Sequence, residues 1–240
     1  MTGAVQLAGM AALRVGTGLV SLATRPEHAA MIAAASPELM SHGVAEAGQL
    51  APLLKRASIV VVGPGLGQSR WARGLLAAVL DTDLPLIVDA DALNLLAREP
   101  ETRDNWVLTP HPGEAGRLLK ISARDVQSDR FAAASALAAG YGGTVVLKGA
   151  GSLVARTADP VTVCAVGNPG MATAGMGDVL SGVIAGLAAQ GLGLWQAGLA
   201  GVCVHGLAGD RAALAGERGL TARDVINELR AVMEAKGETG

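Results

Sequence analysis

The segment GNPGMATAGMGDVLSGVIAGLAAQG, residues 167–191, carries a lone acidic side chain, Asp178, among glycines and aliphatic residues. The aliphatic run after Asp178 predicts a buried helix with this carboxylate in its first turn. Glycines before that turn let successive backbone N–H groups converge on an anion, as in oxyanion and phosphate pockets. Two roles are open to Asp178: a helix N-cap, or a base that deprotonates a hydroxyl group attacking a phosphate. Glycines on both sides favour the second role, because an N-cap does not need them.

Four further motifs follow short apolar runs. They are GPGLG (63–67), DADALN (89–94), TPHPGE (109–114) and KGAGS (148–152). Parallel strands end at one edge of a sheet, and ligands of open α/β sheets bind outside that edge. The motifs therefore predict one binding crevice, although each motif alone is also explained by a turn or a helix cap.

Single residues of these motifs have more than one interpretation. Asp89 and Asp91 suit caps of the next helix, and for at least one of them this role is favoured over metal ligation. Glu114 suits a first helical turn, with metal or water binding as the second choice. His111 lies between two prolines that stiffen the backbone, and a histidine on such a rigid loop favours contact with a ligand. Lys148 ends a buried strand, where its ammonium group needs an anion or a carboxylate.

The elements that carry these motifs alternate between strands and helices. Near-continuous apolar runs predict strands buried on both faces, as in a parallel sheet. These runs are residues 57–63, 84–90, 105–110 and 143–149. Helical patterns separate them, at residues 71–80, 114–119 and 128–139. The alternation predicts βαβ units and an α/β fold.

The pattern changes in the last part of the chain. SLVAR and VTVCAVG flank TADP, which predicts an antiparallel hairpin. Three helices follow, and Thr221 opens the last one with Asp224 three residues later, a variant of the capping box. No linker, repeat or change of composition divides the chain, so residues 1–240 are predicted to form a single domain.

Composition limits the classes of function. With three tryptophans, one tyrosine and one phenylalanine, the core has to be aliphatic. A net charge of −2 without a basic run excludes nucleic acid as a main ligand. Cys164 and Cys203 show neither metal-ligand nor secreted-disulfide spacing, which favours a reducing, cytoplasmic setting.

A membrane span is the alternative for residues 179–204, which carry no charged side chain and are long enough to cross a bilayer. AQGLGLW interrupts the run, and Gln190 and Gln196 are unfavourable in lipid. Two buried helices of a soluble core explain the run better. Met1 leads directly into a helical pattern that contains Arg14, which is not the pattern of a secretory signal.

Five motifs, taken in chain order, resemble those of the ADP- or ATP-dependent NAD(P)H-hydrate dehydratases. They are GPGLG, DADALN, TPHPGE, VVLKGAG and the 167–191 segment. These are metabolite-repair members of the ribokinase-like superfamily, and the resemblance covers nearly the whole chain. It implies a three-layer ribokinase-like α/β fold with a mostly parallel central sheet flanked by helices. It also implies a nucleotide site and a neighbouring site for the hydrated nicotinamide cofactor.

The resemblance further implies residue roles. Asp178 is the base that activates the 6-hydroxyl of NADHX or NADPHX for attack on the terminal phosphate of ADP or ATP, and Mg²⁺ offsets phosphate charge. The resulting phosphate then leaves and restores the dihydronicotinamide. Implied contacts to the hydrate are Val5, Gly65, His111 and Asp178. Implied contacts to the nucleotide are Lys148, Gly149, Ala150, Gly151, Ser152 and Gly177.

Two features depart from the family pattern. Family members carry another strand before the segment that resembles GAVQLAGMAALRVGTGLV, so an N-terminal strand is predicted to be missing, and Val5 stands where alanine is common. The resemblance implies a homotetramer. Two alternatives are a ribokinase-like kinase of a vitamin precursor and a nucleotide-binding subunit without turnover, and the presence of Asp178 argues against the second.

Overall fold

The structure is a computed structural model that describes residues 1–234. Its helices are α1 (Thr2–Arg14), α2 (Pro26–Ala35), α3 (Ala51–Leu54), α4 (Arg70–Leu80), α5 (Ala90–Leu96), α6 (Pro112–Leu119), α7 (Ala123–Ser128), α8 (Arg130–Tyr141), α9 (Met176–Ala189), α10 (Leu194–Ala212) and α11 (Ala222–Met233). Its strands are β1 (Ser21–Thr24), β2 (Met40–Gly43), β3 (Val60–Val62), β4 (Leu86–Val88), β5 (Trp106–Leu108), β6 (Thr144–Leu147), β7 (Ser152–Ala155) and β8 (Thr162–Cys164).

A six-stranded sheet with the order β3-β4-β5-β6-β7-β8 forms the centre of the molecule. Strands β3 to β6 are parallel, and β7 and β8 add the predicted antiparallel hairpin. Strands β1 and β2 form a separate parallel pair. The predicted α/β fold with a mostly parallel sheet is confirmed, as is the capping box of Thr221 and Asp224 that opens α11.

Helices cover both faces of the sheet, which explains why its strands are nearly uniformly apolar. Successive side chains of a strand point to opposite faces. Leu86 and Val88 accordingly join the core under α4, α5, α6 and α8, whereas Ile87 joins the core under α1, α9, α10 and α11. The molecule therefore has the three predicted layers.

Glycines let α9 approach its neighbour α1 closely. A Cβ atom on Gly182 would lie 2.0 Å from the carbonyl oxygen of Ala8, and one on Gly186 would lie 2.4 Å from a methyl carbon of Val15. The uncharged run 179–204 is thus divided between two packed helices, α9 and α10, as predicted. Within the described part of the chain, no helix combines the length and apolarity that crossing a membrane requires.

A cavity of about 550 Å³ separates β1 from β3. Residues of both strands line it, together with parts of α1, α4 and α9. The carboxyl ends of the two strands lie on the same side, because Arg25, after β1, contacts Ser69 and the ring of Trp71, both after β3. A strand parallel to both β1 and β3 would therefore fit in the gap. The missing N-terminal strand stays a prediction, and this gap is where it would lie.

Extending the chain at Met1 with the residues encoded upstream should raise the melting temperature. A strand in the gap would pair with the edges of β1 and β3, which among the described residues pair only with β2 and β4, and it would bury apolar surface. For a chain of this size, each kcal/mol gained is worth about 2–4 °C. Thermal unfolding followed by circular dichroism measures the change, with a glycine-serine extension of equal length as the control. Equal melting temperatures for the natural and the control extension would contradict the prediction.

Candidate active site

The start of α9 is a backbone pocket suited to an anion. Gly175 is the N-cap residue, in the left-handed region at φ 89°, and as a glycine it has no side chain with which to cap the helix. The first-turn N–H groups are therefore left to an incoming ligand, at the positive end of the helix dipole. Asp178 lies in this first turn, so the N-cap role for Asp178 is wrong.

Asp178 has the properties of a base that works near neutral pH. The pKa of its carboxyl group is raised to about 6, mainly by burial and also by the negative charge of Asp89, while Lys148 opposes the shift. A carboxylate with this pKa is mostly ionised at pH 7, yet it holds a proton more strongly than an ordinary aspartate.

Lys148, Asp89 and Ser181 form a network beneath the start of α9. The Nζ atom of Lys148 lies 2.6 Å from Oδ1 of Asp89 and 3.8 Å from Oε2 of Glu114. Ser181, on α9, donates to Oδ2 of Asp89 at 2.8 Å. Burial disfavours the charged ammonium, but the carboxylates of Asp89 and Glu114 outweigh it, so the pKa of Lys148 lies above its usual value. The anion or carboxylate predicted for Lys148 is thus Asp89.

His111 and Glu114 fix the loop after β5. Nδ1 of His111 accepts the N–H of Gly113 at 2.9 Å, and Oε2 of the buried Glu114 accepts the N–H of His111 at 2.8 Å. Burial lowers the pKa of His111, although the charge of Glu114 opposes it. The ring is therefore neutral at pH 7, and its remaining proton lies on Nε2, 3.4 Å from Oε1 of Glu114.

The loops after β3 and β4 interlock. Gly63 has φ 124°, and a Cβ atom there would lie 1.7 Å from the carbonyl oxygen of Asp89. Gly67 donates its N–H to Oδ2 of Asp91 at 2.7 Å. The carboxylates of Asp89 and Asp91 therefore bind Lys148 and the neighbouring loop, and Asp89 makes no side-chain cap to α5.

The KGAGS motif forms the tight turn between β6 and β7, where Gly151 has φ 65°. Ser152 donates to the carbonyl oxygen of Gly149 at 3.3 Å, and Arg130 donates to that of Ala150 at 2.7 Å. The turn follows Lys148 directly, and a Cβ atom on Gly177 would lie 3.1 Å from Nζ of Lys148. The expected nucleotide contacts on the turn and on α9 therefore meet at Lys148.

The expected contacts to the hydrate fall into two groups. His111 and Asp178 lie around Lys148, whose charge influences both of their pKa values. Val5 and Gly65 instead line the cavity between β1 and β3, whose lining includes neither His111 nor Asp178. Met1 also lines this cavity.

Sequence reasoning missed two residues near the site. Arg130 supports the KGAGS turn from the start of α8, and its spacing gave no indication of this contact. His205 lies on α10, where its pKa is lowered to about 4, mainly by burial and also by the charge of Lys148. An isolated histidine in an otherwise apolar run was the feature that could have drawn attention to His205.

The three-layer fold and the anion pocket at the carboxyl edge of the sheet define a ribokinase-like protein. The chain belongs to the NAD(P)H-hydrate dehydratase family, whose sequence model matches residues 1–231. The family that the motifs indicated is therefore confirmed.

Individual relatives agree with this assignment. The chain is 56% identical over 234 residues to the bifunctional NAD(P)H-hydrate repair enzyme Nnr of Coxiella burnetii, covering 97% of this chain and 48% of that protein. It is 44% identical over 221 residues to the ADP-dependent (S)-NAD(P)H-hydrate dehydratase of Neisseria meningitidis serogroup B, covering 88% and 73%. The chain thus spans about half the length of the bifunctional relatives it matches.

A solved structure is similar along nearly the whole chain. It is the ADP/ATP-dependent NAD(P)H-hydrate dehydratase of Bacillus subtilis, co-crystallised with ATP/Mg²⁺. Its TM-score is 0.82 at 27% identity, and the match covers 97% of this chain and 84% of that one.

Replacing Lys148 with methionine should lower the free energy of unfolding by about 3–5 kcal/mol, because the buried carboxylate of Asp89 would lose its partner. Urea denaturation measures the loss. The control is Lys55→Met, since Lys55 is exposed and forms no ion pair within the described residues. Adding Asp89→Asn to Lys148→Met should recover part of the loss. Equal losses for Lys148→Met and Lys55→Met would contradict the prediction.

Proposed function

We propose that the protein catalyses the ADP- or ATP-dependent dehydration of NADHX and NADPHX, the hydrated forms of NADH and NADPH. The observation that carries this proposal is Asp178, a partly buried carboxylate with a pKa of about 6 in the first turn of an uncapped helix. Such an arrangement joins a base to an anion pocket. Membership of the NAD(P)H-hydrate dehydratase family supports the choice of substrate.

In the proposed reaction, the nucleotide phosphates bind at the start of α9, beside Lys148 and the turn formed by residues 149–152. Asp178 takes the proton of the 6-hydroxyl, whose oxygen forms a bond to the terminal phosphorus while the nucleotide, shortened by one phosphate, leaves. The ring nitrogen lone pair then expels the phosphate from C6, and loss of a proton from C5 restores the dihydronicotinamide. Phosphorylation is needed because hydroxide is a poor leaving group.

The proposed contacts to the hydrate are Val5, Gly65 and His111. The proposed contacts to the nucleotide are Lys148, Gly149, Ala150, Gly151, Ser152 and Gly177. The neutral ring of His111 is held by Gly113 and Glu114, so it offers a fixed surface to a ligand. The glycines at 149 and 177 keep the backbone free of side chains where the phosphates would bind.

Magnesium fits the proposal as a companion of the phosphates. Among residues 1–234, no three His, Cys, Asp or Glu side chains are grouped so as to hold a metal ion. Mg²⁺ commonly binds through one or two carboxylates and the substrate phosphates, and it would offset phosphate charge here. Asp91 and Asp178 are carboxylates of this edge that take part in none of the ion pairs of the described residues.

The proposal includes a homotetramer in the cytoplasm, as the family resemblance implies. Several apolar side chains stand exposed on the described surface, among them Leu19 and Leu214. Burial of such residues between subunits would favour association.

Incubating the protein with Mg²⁺, ADP or ATP and NADHX or NADPHX should restore the near-ultraviolet absorbance of the reduced cofactor. One phosphate should be released for each molecule repaired, and omission of the nucleotide should abolish the recovery. If absorbance does not return and a thiazole or pyrimidine alcohol is phosphorylated instead, the protein is a kinase. If neither reaction occurs, the nucleotide-binding subunit without turnover becomes the better interpretation.

Replacing Asp178 with asparagine should keep the fold and lower turnover by about 10²–10⁴-fold, because an amide cannot accept the hydroxyl proton. The wild-type rate should also fall as the pH drops through about 6, where Asp178 becomes protonated. Steady-state kinetics and circular dichroism measure both effects, and Asp81→Asn, at an exposed position, is the control. Activity of the Asp178 variant within a fewfold of wild type would rule out this role.

A further inference from the structure

Helix α10 holds the loop that leads into α9, and the contacts begin at the start of this loop. Residues 165–175, which we call the entry loop, join β8 to α9. Asp210, on α10, accepts the backbone N–H of Gly167 on Oδ2 and the side-chain amide of Asn168 on Oδ1, both at 3.0 Å. Asn168 in turn accepts the N–H of Gly170 at 3.0 Å. One carboxylate therefore fixes the first turn of the entry loop through three linked hydrogen bonds.

Two glycines on the same face of α10 allow this close approach. A Cβ atom on Gly206 would lie 2.7 Å from a methyl carbon of Val166, and one on Gly209 would lie 2.2 Å from the sulfur of Met171. Gly206, Gly209 and Asp210 are spaced so that they lie together on one side of the helix. This side of α10 is therefore shaped to the backbone of the entry loop.

The same helix also reaches the far end of the entry loop. His205, next to Gly206, is buried and interacts with the backbone of Met176, the first residue of α9. Its lowered pKa keeps the ring neutral at pH 7. The segment HGLAGD, residues 205–210, thus contacts both ends of the loop that sets the position of Gly177 and Asp178.

We propose that Asp210 is a positioning residue for nucleotide binding, acting through the entry loop on the start of α9. This role rests on the proposed function. Hydrogen bonds to a charged acceptor are stronger than those between neutral groups. Loss of one of them lets the entry loop move, so the N–H groups of α9 no longer converge on the phosphates without reorganisation.

The chain offers a substitution pair that separates hydrogen bonding from charge. In Asp210→Asn, two side-chain amides face each other, and one of the three linked hydrogen bonds is lost. In Asn168→Asp, two carboxylates face each other instead. The double variant, Asn168→Asp with Asp210→Asn, exchanges the two groups and can rebuild all three hydrogen bonds. The carboxylate at position 168 would then accept from the N–H of Gly170 and from the side-chain amide at position 210.

The dissociation constants of ADP and ATP with Mg²⁺ should be measured by calorimetry for the four proteins at a temperature where circular dichroism shows each to be folded. Asp210→Asn should bind nucleotide roughly tenfold more weakly, the loss of about one charge-assisted hydrogen bond. Asn168→Asp should bind nucleotide at least as weakly as Asp210→Asn. The dissociation constant of the double variant should lie within about threefold of the wild-type value, a difference smaller than the free energy of one hydrogen bond. The rates of amide hydrogen exchange in residues 166–172 should rise in the variants that bind nucleotide more weakly and should fall again in the double variant.

Glu228→Gln is the matched control, because Glu228 accepts a hydrogen bond from Arg211, the neighbour of Asp210, and takes no part in the three linked hydrogen bonds of the entry loop. This variant should bind nucleotide as wild type does. If Asp210→Asn binds as well as wild type, or if the double variant is no better than the single ones, the role of Asp210 is wrong while nucleotide binding stands. If wild type binds neither nucleotide, both this role and the proposed function are overturned.

Discussion

The buried ion pair of Lys148 and Asp89 is the interaction on which the candidate site depends. Lys148 follows β6 and Asp89 follows β4, so the pair bridges strand ends on either side of β5. The second oxygen of Asp89 accepts from Ser181, which ties α9 to the same point. Two charges removed from water are stable only while each keeps its partner. Sheet, helix and loops are consequently held in one arrangement at the edge where the anion pocket opens.

Two glycines bring the backbone close to this ion pair. A Cβ atom on Gly63 would lie 1.7 Å from the carbonyl oxygen of Asp89, which excludes a side chain there. A Cβ atom on Gly177 would lie 3.1 Å from Nζ of Lys148, a tight contact that would require the ammonium group to shift. The position of Asp178 follows, because it is the next residue after Gly177. Its raised pKa has the same origin: the helix start buries it near Asp89, and the nearby ammonium group compensates in part.

The sequence was sufficient for those parts of the fold in which apolar runs decide the structure. The strands later seen as β3 to β6 were predicted because both of their faces are buried, whereas β1 and β2, with the sequences SLAT and MSHG, are short and partly exposed. The helix predicted at 128–139 was displaced by two residues, since Asp129 caps α8. Lys148 was predicted to need a partner, but only the folded chain identifies Asp89. Asp210 was missed because its partners lie more than 40 residues away.

The gap between β1 and β3 also affects how the molecule loses its structure. Backbone hydrogen bonds couple neighbouring strands into one cooperative unit, and none of the described ladders joins the β1–β2 pair to the larger sheet. The connection is made instead by the packing of Ala23 and Val44 in the same core as Val62, by the hydrogen bond from Trp71 to the carbonyl oxygen of Val44, and by the contacts of Arg25. Segments coupled in this way open at lower free energy than the rest of a protein. With the gap empty, we therefore expect the β1–β2 region to open before the half of the molecule that carries Lys148 and α9. A strand in the gap would join the two into one cooperative unit.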